Sequence, residues 1–166
     1  MYKPRRPPHS TDKTQPDGNA LRDALARRRA DEDSQEQQRE QDARDALGGS
    51  LSKWFNDVAA DIPKKVAEIT RALDAGQSVS ADFSYSASEA SLTLRGLGEV
   101  NMETLPGFKK LDETCKGLDI ACTVTQGRNG YGRKVGAGQP YLHVTVDAEK
   151  PYRPVTVEKV QPRGRR

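Results

Sequence analysis

Between residues 50 and 75 the apolar side chains recur at steps of three and four. Leu51, Trp54, Phe55, Val58, Ala59, Ile62, Val66, Ile69 and Leu73 fall on one face, with Lys53, Asp57, Lys65, Glu68 and Arg71 mainly outside it. That spacing predicts an amphipathic helix packed on a core. Ser50 is suited to cap its start, Pro63 to kink or divide it near Asp61, and Gly76 to end it. Residues 78–96 switch to period two. Val79, Ala81, Phe83 and Tyr85 alternate with serines and Asp82, and after a turn at 87–90, Leu92 and Leu94 alternate with Ser91, Thr93 and Arg95. This predicts an antiparallel hairpin with one buried face.

Helical spacing returns at 104–116 through Leu105, Phe108, Leu111 and Cys115, with Thr104 as cap, Pro106 in the first turn and Gly117 as terminator. Residues 118–126 and 141–147 read as strands joined by a glycine-rich loop. Val155, Val157 and Val160 have the spacing of a short edge strand. The expected fold class is α+β: a two-layer domain with N-terminal helices and a ββαββ four-stranded sheet of antiparallel type, flanked by disordered basic tails. Trp54, Phe55, Phe83, Phe108 and Leu111 are the expected meeting point of helices and sheet.

Ahead of this domain the pattern is different. Residues 19–47 contain neither glycine nor proline, yet no apolar stripe continues between Leu25 and Ala43. Arg27-Arg28-Arg29 precedes Asp31-Glu32-Asp33, placing opposite charges three and four apart, which supports a helix by ~0.2–0.5 kcal/mol per pair. A solvated helix over 19–48, ended by Gly48-Gly49, is the expectation, and the missing apolar heptads exclude a self-sufficient coiled coil. Residues 1–18, with Pro4, Pro7, Pro8 and Pro16, read as a disordered basic arm. Residues 49–150 read as the folded domain and 151–166 as a basic C-terminal tail.

Composition explains the tails and narrows the function. Only 34% of the 166 residues are hydrophobic and 31% are charged, so part of the chain cannot bury enough surface to offset its ordering entropy. The remainder is too short for a nucleotide-binding α/β enzyme. The net charge of +3 is unevenly spread: +2 over 1–17, −2 over 18–48, −1 over 49–148 and +4 over 149–166. Such a balance does not suit a protein that coats nucleic acid with its whole surface, but it suits contact through tails and a local patch. No apolar run approaches a membrane span, and the basic N-terminus leads into polar residues rather than a signal-peptide core. A cytoplasmic, reduced protein is expected, with Cys115 and Cys122 as packed free thiols.

Catalytic chemistry is thinly supplied. His9 lies in the expected arm and His143 in a strand, where the alternation puts it on one face with Tyr141 and Thr145. Cys115, Cys122 and His143 lack the close ligand pairs of a zinc site. Neither an enzyme, a metal nor a cofactor is therefore expected, and Asp112-Glu113 and Asp31-Glu32-Asp33 read as solvated faces.

The most distinctive segment is the loop from Gln126 to Gln139, with five glycines, Arg128, Arg133, Lys134 and Tyr131. Gly130-Tyr131-Gly132 is followed by a strand rather than a helix, so it is no dinucleotide fingerprint, and Lys134 is followed by Val135, which excludes a Walker loop. Glycines that let backbone approach a phosphate, cations that neutralise it and a tyrosine that stacks on a base point to nucleic acid. The leading expectation is a non-enzymatic accessory protein that binds nucleic acid or a nucleoprotein complex. Arg5, Arg6, Arg128, Arg133, Lys134, Arg163, Arg165 and Arg166 would supply phosphate contacts and Tyr131 the stacking. The alternative is a protein-interaction adaptor or assembly subunit that docks a partner through the 19–47 helix, which the eight acids of residues 18–48 favour.

Overall fold

The computed structural model describes residues 18–87, 94–128 and 138–160. The chain divides into two compact units, residues 1–40 and residues 41–166. It is a mixed helix-and-sheet protein. Helix α1 spans Gly18–Asp74 over 57 residues, and helix α2 spans Pro106–Leu118. Four strands, β1 (Asp82–Ser86), β2 (Ala121–Arg128), β3 (Pro140–Asp147) and β4 (Val157–Val160), form one sheet in the order β1-β3-β2-β4.

One helix stands where two were expected, because neither Gly48-Gly49 nor Pro63 breaks α1. Gly48 is buried, and a Cβ there would lie 3.6 Å from the Leu105 side chain, so the small residue sits at a packing contact rather than at a left-handed stop. At Pro63 the helix lacks one N–H, a loss of ~3 kcal/mol in isolation. Ile62 is fully buried just before it and Val66 packs on the same core just after it, so tertiary packing holds both flanks in line. The buried face runs from Leu47 to Ile62, and Leu73 at the far end is exposed.

The sheet departs from the expected ββαββ antiparallel arrangement. β1 pairs antiparallel with β3, from Asp82↔Asp147 to Ser86↔His143, and not with a following hairpin partner. The expected second arm lies partly outside the described residues. Residues 94–96, which are described, are coil and turn. Leu94, Leu97 and Met102 are instead buried along a connection containing two 3-10 turns, Leu97–Glu99 and Met102–Thr104. Period two fits any short run of alternating burial, and among the described residues Leu94 and Leu97 are buried by local turns. β2 and β3 pair antiparallel over eight positions, Ala121↔Asp147 to Arg128↔Pro140. β4 then runs parallel to β2, from Val124↔Val157 to Gly127↔Val160, which makes the sheet mixed.

α2 is capped differently from the sequence expectation. Its N-cap is Leu105, which supplies no side-chain bond, while Thr104 closes the preceding 3-10 turn. The N–H of Gly107 donates instead to the Ser52 hydroxyl of α1 at 2.9 Å. A Cβ on Gly107 would lie 2.0 Å from the Ser52 carbonyl oxygen, so glycine sets how closely α2 approaches α1. The helix runs past Gly117 to Leu118 and ends at Asp119, whose φ of 53° and ψ of 45° occupy the left-handed region usually taken by glycine.

The core lies between the buried faces of the helices and one face of the sheet. Leu51, Phe55 and Ile62 of α1, Phe108, Leu111 and Cys115 of α2, and Val124, Leu142, Val144 and Val146 of the strands belong to one cluster. Phe55 meets Trp54 at 5.1 Å and Phe108 edge-on at 5.4 Å between ring centroids. Phe83 joins at the margin, half-buried. No helix of the described residues is long and apolar enough to cross a membrane.

Candidate interaction surfaces

The β2–β3 end carries the segment singled out as a basic glycine loop. The strands claim more of it than expected. Gln126 is buried, and Gly127 and Arg128 are paired with Tyr141 and Pro140. Gly127 serves the sheet: a Cβ there would lie 2.4 Å from the Tyr141 hydroxyl and 2.5 Å from Cζ, so the ring lies against the glycine backbone. Arg128 is exposed at the strand end. By register it shares the side of Val124 and Gln126, whereas Tyr141 and His143 belong to the opposite, outer face with Thr123, Thr125 and Thr145. There the Tyr141 and His143 rings are 5.2 Å apart and tilted by 58°. Arg128 is thus separated from this ring pair by the sheet. Tyr131, Arg133, Lys134, Arg5, Arg6, Arg163, Arg165 and Arg166 lie outside the described residues.

Three carboxylates make contacts that sequence spacing does not reveal. Asp112, expected as part of a solvated face, accepts the Tyr152 hydroxyl at 2.9 Å and the Val155 N–H at 2.8 Å. Asp119 accepts the Tyr152 N–H at 3.1 Å. Together they hold residues 152–155 on α2, burying Val155 and delivering the chain into β4. Burial and the bond to Asp112 push the Tyr152 phenol up from its ordinary value. Asp61 of α1 accepts the Tyr85 hydroxyl of β1 at 3.0 Å, and burial with that bond pushes the Tyr85 phenol well up. All three carboxylates act across 24 to 43 residues of sequence, beyond any local motif.

Cys115 and Cys122 are free and buried, one on α2 and one on the inner face of β2. Their mutual hydrogen bond and burial push the Cys122 thiol up, away from the nucleophilic thiolate. Among the described residues no cluster of three or more His, Cys, Asp or Glu is arranged to hold a metal ion.

Two further surfaces stand out. Within the second unit an open groove of about 740 Å³ lies between α1 and residues 99–106, with Arg44, Gly49 and Lys53 on one side and Glu99, Asn101 and Leu105 on the other. The Arg44 guanidinium bonds the Glu99 carboxylate across it at 2.6 Å. Within α1, every residue from 18 to 46 is exposed. Leu21 and Leu25 are 63% and 46% exposed at a spacing that places them on one face. Arg28 pairs with Glu32 along the helix at 2.8 Å. No family model, no curated protein and no solved structure matches this chain.

Proposed function

We propose that this chain is a non-catalytic adaptor or assembly subunit that docks a protein partner through the N-terminal part of α1. The observation that carries this reading is the exposure of every α1 residue from 18 to 46. A helix that is polar all round gains nothing from a core and owes its place to local pairs or to a partner. Leu21 and Leu25 give such a partner an apolar foothold amid charge. A cytoplasmic setting accords with two unpaired cysteines.

The test is cross-linking of full-length chain in native extract, comparing wild type with Leu21→Asp/Leu25→Asp, with and without nuclease. The adaptor reading expects a set of cross-linked proteins that the double variant loses and nuclease leaves intact. Identical sets from both chains, or a set removed by nuclease, overturn it.

A second reading, nucleic-acid binding, is supported by exposed Arg128 at the end of β2, just before the sequence segment that contains Tyr131, Arg133 and Lys134. The basic ends Arg5, Arg6, Arg163, Arg165 and Arg166 would add phosphate contacts. This reading expects affinity for DNA or RNA that falls with salt, with a log–log slope reduced by about 0.7–0.9 for each phosphate contact removed in Arg128→Ala, Arg133→Ala and Lys134→Ala. Absence of salt-dependent binding at low ionic strength overturns it.

A further inference from the structure

The charge along the exposed helix is ordered, and the order points to a particular partner. Residues 18–30 carry a net +3 and residues 31–40 a net −4. At the junction, Arg27-Arg28-Arg29 and Asp31-Glu32-Asp33 are arranged as charge opposites on either side of Ala30. Every one of these residues is exposed.

A helix that used these charges only for its own stability would place acids before bases. Glu four residues N-terminal to Lys is the better order, because it suits the helix dipole. Across the Ala30 junction the order is reversed, although Asp23 precedes Arg27 and Glu36 precedes Arg39 in the favourable sense. Arg28 forms its pair with Glu32, while Arg27 donates from Nε to the Asp23 backbone carbonyl. The same pattern is self-complementary when a second helix lies antiparallel with Ala30 at the dyad. Residue 27 then faces residue 33 of the other copy and the reverse, Arg29 and Asp31 lie at the margins of the contact, Arg28 and Glu32 keep their own pair on the far side, and the two helix dipoles oppose. Ala30 leaves room for approach at the crossing, and Arg27 and Asp33 flank it on the same side of the helix.

We infer that residues 18–40 pair antiparallel with the same segment of a second copy of this chain, in a register centred on Ala30. This goes beyond the adaptor reading and uses another face of the same helix: Leu21 and Leu25 lie on the side away from Ala30, so the two can be tested separately. Exposed ion pairs add little affinity each, but complementary fields fix orientation and register. The expected dimer is therefore weak, salt-sensitive and specific in alignment.

Sedimentation velocity of the full chain over a wide concentration range tests this. At about 20 mM salt the wild type should show a reversible monomer–dimer equilibrium, and at about 300 mM salt the dimer should weaken by about tenfold or more. Arg27→Glu/Arg28→Glu/Arg29→Glu and Asp31→Lys/Glu32→Lys/Asp33→Lys should each be monomeric alone. Mixed in equal amounts, they should form a heterodimer. Mild oxidation should cross-link Ala30→Cys across the dyad and leave Ala20→Cys monomeric. Wild type that stays monomeric at every concentration overturns the inference, whatever the variants do to helicity. So does a dimer that survives both reversals, or one that cross-links at residue 20 rather than 30. A monomer whose cross-linked proteins in extract still depend on Leu21 and Leu25 would leave the adaptor reading standing and this partner excluded.

Discussion

Two glycines of ordinary helical conformation show how much the surroundings decide. At Gly107 a Cβ would enter the Ser52 backbone, 2.0 Å from the carbonyl oxygen and 2.9 Å from Cα. Backbone cannot step aside as a side chain can. Gly107→Ala should therefore destabilise by about 3 kcal/mol or more, at or beyond the usual range for overpacking. Gly49 has nothing within 4 Å of the same position. Gly49→Ala should instead stabilise by about 0.5–1 kcal/mol, the propensity difference alone. Urea midpoints of the two variants check both, and a destabilising Gly49→Ala would mean that its side of the groove is occupied. Tyr85 supplies a pH prediction. Its phenol is raised above the ordinary 10.0 by burial and by the Asp61 carboxylate. Ionisation therefore favours the unfolded chain. Its contribution is fully present below pH 10.0 and is lost progressively as pH rises above that value. Tyr85→Phe should be less stable at neutral pH but flatter above about pH 10, and parallel alkaline profiles would exclude this role.

The elements best legible in sequence are those whose own residues decide them. The apolar face through Leu51, Phe55, Val58 and Ile62 is the buried face of α1, and the alternation of 141–147 is that of β3. The expectations that failed depended on residues far along the chain. Leu105 beside Gly48, Ile62 and Val66 around Pro63, and Ser52 at the start of α2 each replace a local signal with a tertiary one. The candidate site was less legible still. Of the nine residues read as nucleic-acid contacts, Arg128 alone is among those described, and the Gly127–Tyr141 contact gives one loop glycine a structural role. The tie between residues 152–155 and α2 was invisible because Asp112 meets its partners across 40 and 43 residues. Asp112→Asn should weaken both bonds, and Asp112→Ala, which leaves the Val155 N–H without its acceptor, should cost about 1–3 kcal/mol. Hydrogen exchange should then rise at residues 152–160 before it rises in β2 and β3. Uniform exchange across the sheet would show that β4 does not depend on this tie.

In the molecule as a whole, the sheet order β1-β3-β2-β4 puts a consecutive pair at its centre and chain-distant strands at both edges. During synthesis the β2–β3 pair has its partners in hand early, whereas the open side of β2 waits for β4, which leaves the ribosome after the other three described strands. Until then Val124 to Gly127 present a row of unpaired backbone groups, the kind of edge on which other chains add strands. A chain ended at residue 150 would make that interval permanent. It should retain α1, α2 and three strands, yet aggregate with rising temperature, and a peptide of residues 151–160 supplied in excess should suppress the aggregation. If the shortened chain stays as dispersed as the full one without the peptide, the β2 edge is protected by something other than β4. Rescue by the peptide would instead mean that the ten residues from 151 to 160 act, in the cell, as an in-built chaperone for the strand they cover.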